Sequence, residues 1–226
     1  MPAVELSDLT INHSSFGPVS APISIDFRLS RFEITGDSAF PSLLLASLLT
    51  PAFSTLTTLA LNLSEQVFAF KKLASLWPSF APTLTRLELG APYPTLIPLL
   101  AGCTSLDSLR LASSISSSEV GHIFAAIRST ISTLELCINV DEHDASRPWK
   151  TIEARRTLAT VAEHLEERRG TFNALSELRE FVFALEGETD ASLDGLEEMR
   201  EIREVCWQRC IEVIVDETGR DLYDEY

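Results

Sequence analysis

The chain has 226 residues, of which 45% are hydrophobic, and 18 basic and 33 acidic residues give it a net charge of -15. This length and apolar content support a folded core and argue against an intrinsically disordered chain. The negative charge argues against nucleic acid and anionic membranes as partners and favours a protein partner with a basic segment. The same charge would also serve solubility alone.

A six-residue pattern occurs eight times: an apolar residue, two variable residues, an apolar residue, one variable residue and an apolar residue. The segment from Leu56 to Leu61 is among the clearest copies. Alternating apolar residues in the second half of each copy predict a short strand. Six of the seven steps between copies measure 22 to 32 residues, and the remaining step measures 47. The copies begin at Leu6, Leu29, Leu56, Leu84, Leu106, Ile131, Leu178 and Cys210.

Helical segments fill most of the intervals between these strands. The first four helices are predicted over residues 41–49, 65–77, 94–101 and 118–128. Pro78 is expected to end the second helix, because proline cannot continue one. Serines at the start of the fourth helix can act as N-caps.

Two longer helices are predicted in the later part of the chain, over residues 151–169 and 193–210. The first lies within the 47-residue step, after a loop over residues 139–149, and is therefore an insertion. Apolar residues at helical spacing predict that each helix packs one face against the core. On the first helix these residues are Ile152, Leu158, Val161, Ala162 and Leu165, and on the second they are Leu196, Met199, Ile202, Val205 and Cys206.

Strands that alternate with short helices predict parallel strands joined by right-handed crossovers. Each unit is too small to bury its own apolar face, so stacked units must share one core. The eight copies in order resemble the leucine-rich repeat family in its irregular form. The resemblance implies an α/β, right-handed horseshoe solenoid with about eight parallel strands and outer helices. We expect one domain over 1–226, with regular repeats over 1–137 and longer, acidic repeats with an inserted helix over 138–226.

The resemblance implies a protein-interaction module without enzymatic activity. The irregular spacing is similar to that of the repeat domain of fungal F-box-type proteins, which implies substrate recognition for a ubiquitin ligase. No F-box-like helical segment precedes Leu6, so a ubiquitin-ligase adaptor is an expected partner only if an F-box lies outside this chain. Two alternatives stay open, namely an α/β enzyme with a doubly wound sheet and a structural fragment without activity.

Negative charge concentrates in the later part of the chain. Residues 1–137 carry 7 basic and 10 acidic residues, whereas residues 138–226 carry 11 and 23. Three acidic segments follow the sixth, seventh and eighth strands, and parallel strands end at the same sheet edge. We therefore predict an acidic rim that binds a basic partner segment, with solubility as the alternative role. Its candidate partner-binding residues are Asp141, Glu142, Asp144, Glu186, Glu188 and Asp190.

The concave face of the sheet is the second candidate binding surface. Its middle strands carry basic and acidic side chains that can pair across strands. Val182 and Ile214 are apolar on the same face, and we expect the tail over residues 222–226 to cover them, with a partner site as the alternative. The candidate partner-binding residues of this face are Arg31, Arg86, Glu88, Arg110 and Glu135.

No catalytic or cofactor motif stands out, so we predict no enzyme, no cofactor and no metal site. The sequence contains no glycine-rich phosphate loop and no nucleophile elbow. The four histidines are scattered. Asp141, His143 and Asp144 have no second ligand cluster, and the pair Cys206 and Cys210 is a weak zinc signal.

The four cysteines show no disulfide-framework spacing, which favours reduced thiols and an intracellular protein, cytoplasmic or nuclear. The N-terminus does not have the basic and apolar regions of a signal peptide. No apolar segment approaches the roughly 20 residues of a membrane span.

Overall fold

The computed structural model describes residues 7–13, 29–36, 42–63, 70–90, 96–139, 149–166, 175–186, 193 and 196–216. The strands are β1 (Asp8–His13), β2 (Arg31–Gly36), β3 (Thr58–Leu63), β4 (Arg86–Leu89), β5 (Ser108–Ser114), β6 (Thr133–Asn139), β7 (Glu180–Glu186) and β8 (Glu212–Asp216). The α-helices are α1 (Ser42–Leu49), α2 (Phe70–Phe80), α3 (Ser117–Ala126), α4 (Trp149–Glu166) and α5 (Glu197–Gln208). Short 3-10 helices lie at Thr50–Ala52, Ala81–Thr83 and Ile97–Gly102.

The eight strands form one sheet whose order follows the chain from β1 to β8. Every neighbouring pair is parallel, and β1 and β8 are the two edges of the sheet. The register places equivalent positions of the repeated pattern side by side, so that Leu59 pairs with Phe32 on one side and Leu87 on the other. The prediction of eight parallel strands is confirmed.

The core lies between one face of the sheet and the described helices. The apolar strand residues and the apolar helix residues belong to one continuous buried cluster that extends from Leu29 to Ile211. Leu109 at the middle of the sheet is fully buried, as are Leu73 on α2 and Leu158 on α4. The pattern of alternate burial follows from the pleat, which sends successive side chains to opposite faces.

The expected helix stop at Pro78 is wrong, because α2 continues to Phe80. A proline in the last turn removes one backbone hydrogen bond but leaves little helix to disrupt. Trp77 and Phe80 stabilise this turn, since both side chains are buried and their rings are in edge contact at 5.3 Å. The indole Nε1 of Trp77 also donates to the carbonyl of Leu99 at 2.8 Å.

The inserted helix is confirmed as α4, which packs between α3 and α5. Ala154, Leu158 and Leu165 are buried on its inner face. Ile152, however, was expected to pack with them and is 50% exposed. It lies in the first turn of the helix.

Hydrogen bonds made by side chains attach α4 to its neighbours. Glu153 Oε1 accepts from both the backbone N–H and the hydroxyl of Ser117, at 2.8 Å each, at the start of α3. The expected serine N-cap of α3 is confirmed as Ser116, which forms a capping box with Glu119. At the other end of α4, Arg209 donates to the carbonyl of Leu165. These bonds satisfy backbone groups that helix ends leave unpaired.

Candidate functional site

The sheet surface that carries the strand residues alternating with the buried ones is called the open face below. It lies opposite the described helices, and the strand register arranges its side chains in columns across the sheet. The first column consists of Asp8, Arg31, Thr58, Arg86, Ser108, Thr133, Glu180 and Glu212. The second column consists of Thr10, Glu33, Ala60, Glu88, Arg110, Glu135, Val182 and Ile214. Both columns agree with the predicted alignment of the repeated pattern.

A row of interacting polar side chains crosses the middle of the open face. Arg110 lies between two carboxylates, with its Nη1 atom 3.5 Å from Glu88 Oε1 and its Nε atom 2.8 Å from Glu135 Oε1. Asn62 extends the row, because its Nδ2 atom donates to Glu88 Oε1 at 3.0 Å. These four residues belong to β3, β4, β5 and β6, and they are called the central charged row below.

The central charged row is largely shielded from solvent. The side chains of Glu88, Arg110 and Glu135 are 13%, 15% and 21% exposed. Ion pairs are stronger in such surroundings than on a fully exposed surface, because the effective dielectric constant is lower. The row therefore has a defined geometry, and its two carboxylates against one guanidinium leave it with a negative charge.

Two buried polar atoms of the row are not fully satisfied by the described residues. The Nε atom of Arg110 is at ion-pair distance from Glu135, but its N–H has no acceptor in hydrogen-bond geometry. Asn62 Oδ1 is buried without a described hydrogen-bond partner. The carboxylate of Glu88 needs the amide NH2 as its donor, so the Asn62 amide cannot turn around to satisfy this oxygen.

Gly90 allows β4 to lie close to Asn62. A Cβ atom at this position would lie 2.7 Å from the Asn62 Cα atom and 3.2 Å from the Leu61 carbonyl oxygen. The Gly90 N–H donates to that carbonyl at 2.7 Å. A larger residue here would push the two strands apart, so Gly90 supports the Asn62 end of the central charged row.

Arg31 and Arg86 do not belong to the central charged row. Arg31 pairs with Glu33 two residues along its own strand at 2.9 Å, and its side chain is 53% exposed. Arg86 is exposed and forms no ion pair with any residue that the structure describes. Of the five predicted residues of this face, the structure therefore brings Glu88, Arg110 and Glu135 together. Arg31 and Arg86 do not take part in this row.

The acidic rim falls almost entirely outside the described residues. Glu186 ends β7 and pairs with Asn139 at the end of β6, so these two strands finish side by side, as predicted. The other five candidate residues of the rim are outside the described ranges, so the rim stays a prediction. These residues are Asp141, Glu142, Asp144, Glu188 and Asp190.

None of the four cysteines forms a disulfide; Cys103, Cys137 and Cys206 are buried, and Cys210 is exposed. Burial raises the pKa of the Cys103 thiol to about 12 and that of the Cys206 thiol to about 11. A buried, protonated thiol is a poor metal ligand and a poor nucleophile. Among the described residues there is no group of three or more histidine, cysteine or acidic side chains placed to hold a metal ion. No helix in the described ranges is long and apolar enough to cross a membrane.

Sequence reasoning missed Asn62 and its bond to Glu88. Asn62 lies two residues after Ala60 and therefore on the same face of β3. The two predicted columns do not include this position. Extending the columns by one position along each strand would have included it.

Comparison with known proteins found no matching protein-family model, curated protein or solved structure.

Proposed function

We propose that this chain is an irregular leucine-rich-repeat solenoid, a right-handed horseshoe, that binds another protein through the open face of its sheet and has no catalytic role. The central charged row carries this proposal. Polar side chains from four consecutive strands form one continuous, partly buried surface. Repeat proteins use extended surfaces of this kind for protein recognition.

The strand order supports a repeat architecture over a doubly wound enzyme. In a doubly wound sheet the ligand binds where the strand order reverses. The order from β1 to β8 follows the chain, so the described strands contain no such reversal. A stack of similar units gives this order directly, because each unit adds its strand beside the preceding one.

The polar groups of the central charged row suit specific recognition. Asn62 Oδ1 has no described donor, and leaving a buried acceptor unpaired costs about 1–3 kcal/mol. The oxygen is fully shielded from solvent, so partner binding would remove that cost only by turning the Asn62 side chain outward. Glu88 and Glu135 share one guanidinium, so the row would also favour a partner cation. Such complementarity contributes more to specificity than to overall affinity.

Affinity purification with quantitative mass spectrometry tests this proposal through matched variants. We expect Arg110→Glu to reduce recovery of a specific partner about tenfold, a loss of about 1.4 kcal/mol of binding free energy. Arg200→Glu is the control, because this variant makes the same change of charge on the exposed surface of α5. Circular dichroism must show that both variants are folded. Equal recovery by the two variants would contradict a role for the open face.

Substrate recognition in a ubiquitin ligase is the narrower form of this proposal, and it requires an F-box outside this chain. The support is the resemblance of the repeats to those of fungal F-box-type proteins. Co-purification of a ubiquitin-ligase adaptor with the full-length protein tests it. If partners that depend on Arg110 co-purify but no adaptor does, the protein-binding proposal stands and the ligase role is contradicted.

The acidic rim is a second proposed contact for a basic partner segment. Reversing the charges of Asp141, Glu142 and Asp144 together should weaken that partner's association most at low salt, where surface charges are screened least. The measurement is the association rate at two ionic strengths. An unchanged rate at low salt would assign the rim to solubility alone.

A further inference from the structure

The last two strands present a small apolar surface on the open face. Val182 on β7 and Ile214 on β8 are direct partners in the register. Val182 is half-buried, and Ile214 is 36% exposed. Two other large hydrophobic side chains in the described ranges are more exposed, but Ile152 and Trp207 belong to helices on the other side of the sheet. No described helix or strand covers the Val182–Ile214 pair.

Two carboxylates flank this apolar pair on one side. Glu180 and Glu212 are also direct partners in the register, in the first column of the open face. Neighbouring strands are about 4.8 Å apart, and like charges directly opposite each other destabilise a strand pair. Neither carboxylate forms an ion pair with a described residue, whereas Glu135 on the next strand has Arg110. The arrangement therefore favours a cation beside Glu180 and Glu212.

The spacing between the acidic and the apolar pair matches that of an extended chain. Glu180 and Val182 are two residues apart on one strand, as are Glu212 and Ile214, which corresponds to about 6.6 Å. Side chains at positions i and i+2 of an extended peptide point to the same side with the same separation. A peptide lying along these strands would thus place a basic side chain over the carboxylates and an apolar side chain over Val182 and Ile214.

We propose that Glu180, Val182, Glu212 and Ile214 form a docking surface for an extended segment of a partner protein in which basic and apolar side chains alternate. This inference rests on the proposed function, because it assigns a partner chemistry to one end of the same open face. Charge complementarity identifies the occupant: the surface is acidic and apolar, so the segment must be basic and apolar.

The tail over residues 222–226, which the sequence predicts as the cover of this pair, lies outside the described residues, and its charge makes it a poor match for this surface. Residues 217–226 contain four acidic residues and one basic residue, Arg220. Their charge is therefore repelled by Glu180 and Glu212. A second copy of the chain meets the same repulsion, since its net charge is -15.

Fluorescence anisotropy with three labelled peptides tests the proposal. The first peptide repeats lysine, serine, leucine and serine; the second replaces leucine with serine; the third replaces lysine with glutamate. We expect the full chain to bind the first peptide at least about tenfold more tightly than either of the others, and more weakly as salt rises. Equal binding of the first two peptides would overturn the proposal, because charge alone would then account for the affinity. Absence of binding would overturn it as well.

Variants of the full chain locate the site. Ile214→Ser should weaken binding of the lysine–leucine peptide about tenfold. The double variant Glu180→Gln, Glu212→Gln should weaken it similarly and reduce its salt dependence. Asp8→Asn is the matched control, since Asp8 lies in the same column at the opposite edge of the sheet, and it should bind like the original chain. Unchanged binding by Ile214→Ser would overturn the proposal.

Two further outcomes would point to a different occupant or to a different part of the open face. If the peptide binds only after removal of residues 217–226, the tail is the occupant and the proposal is wrong. If Ile214→Ser retains the partner that Arg110→Glu loses, the open face binds protein but this end of it does not contribute. In that case the proposed function stands and the further inference fails.

Discussion

Cys210 has a strained backbone conformation, with φ at 58°. It follows α5 in a Schellman motif, in which the N–H of Cys210 bonds the carbonyl of Trp207 and the N–H of Ile211 bonds that of Cys206. Most helices that end in this way have glycine at this position, because a Cβ atom costs about 1–2 kcal/mol in the left-handed region.

Cys210→Gly should raise the free energy of unfolding by about 0.5–1 kcal/mol, because relief of strain exceeds the greater flexibility of glycine in the unfolded chain. Urea denaturation measures the change. Cys210→Ala is the control, since it removes the thiol but keeps the Cβ atom. An equal gain in both variants would attribute the effect to the thiol rather than to the backbone.

The pattern of the eighth repeat misplaces one apolar residue. Cys210 was expected as its first apolar residue, but it is exposed, and Ile211 is buried at 6% exposure instead. The left-handed conformation of Cys210 after α5 shifts the first buried position of this repeat by one residue, from Cys210 to Ile211. The later residues Val213 and Val215 keep the predicted register. The pattern of apolar residues does not predict this turn, because the turn results from the hydrogen bonds that end α5.

The thiols should differ strongly in reactivity. We expect iodoacetamide at about pH 8 to modify Cys210 at least about tenfold faster than Cys103 or Cys206, because alkylation requires an accessible thiolate. Mass spectrometry of digested protein measures the rates, and denatured protein, in which all four cysteines should react alike, is the control. Equal rates in the folded protein would contradict the burial of the two thiols.

The same pKa shifts predict a pH dependence of stability. Burial raises the pKa of the Cys103 thiol from its ordinary value near 9 to about 12 in the folded protein. The folded state therefore holds this proton more tightly, and its contribution to stability is complete below pH 9 and is lost as the pH rises towards 12. Cys103→Ala should reduce the fall in unfolding free energy above pH 9. An identical pH profile in that variant would contradict the raised pKa.

Among the helices, Arg209 connects the end of α4 to the end of α5. Its Nη1 atom donates to the carbonyl of Leu165 at 2.9 Å, and its Nη2 atom donates to the carbonyl of Leu175 at 2.7 Å. Both bonds span more than 30 residues of sequence. The inserted helix is thereby held to the chain segment that leads into β7.

Arg209→Met should lower the free energy of unfolding by about 1.5–3 kcal/mol, because it removes a charged donor from two part-buried carbonyls while keeping the apolar stem. Chemical denaturation measures the loss. Arg200→Met, on α5 itself, is the control, and it should change stability by less than about 0.5 kcal/mol because its pair with Glu197 is exposed. A similar loss in both variants would contradict the bridging role of Arg209.

The sequence pattern predicts that the helices exist, but it predicts their ends and their contacts less well. The helical spacing of Leu158, Val161 and Leu165 predicts α4 without any knowledge of its contacts. The same spacing predicts Ile152 on the buried side, whereas the side chain is 50% exposed in the first turn of α4. Pro78 was interpreted from its backbone chemistry alone, whereas the buried rings of Trp77 and Phe80 decide where α2 ends. End positions depend on tertiary packing that the local pattern does not contain.

At the scale of the whole molecule, one continuous core joins all repeats, so the centre of the sheet should contribute more stability than its edges. Leu109 on β5 is fully buried between two neighbouring strands, while Leu9 on the edge strand β1 is only partly buried.

Leu109→Ala should lower the free energy of unfolding by about 2–5 kcal/mol, as for other buried leucines. Leu9→Ala should cost clearly less, because β1 has a neighbour on one side only and part of Leu9 remains in water. Urea denaturation followed by circular dichroism provides both values. A larger loss for Leu9→Ala would contradict a core centred on the middle strands.

The amino-acid sequence by itself determined where the eight strands lie, that they are parallel, and which residues share a column on the open face. These properties follow from a local period that repeats along the chain. Only the tertiary structure decided that Asn62, Glu88, Arg110 and Glu135 form one row, that Gly90 makes room beside Asn62, and that Ile211 replaces Cys210 in the core. Contact and burial depend on residues distant in sequence, and a local period carries no information about them.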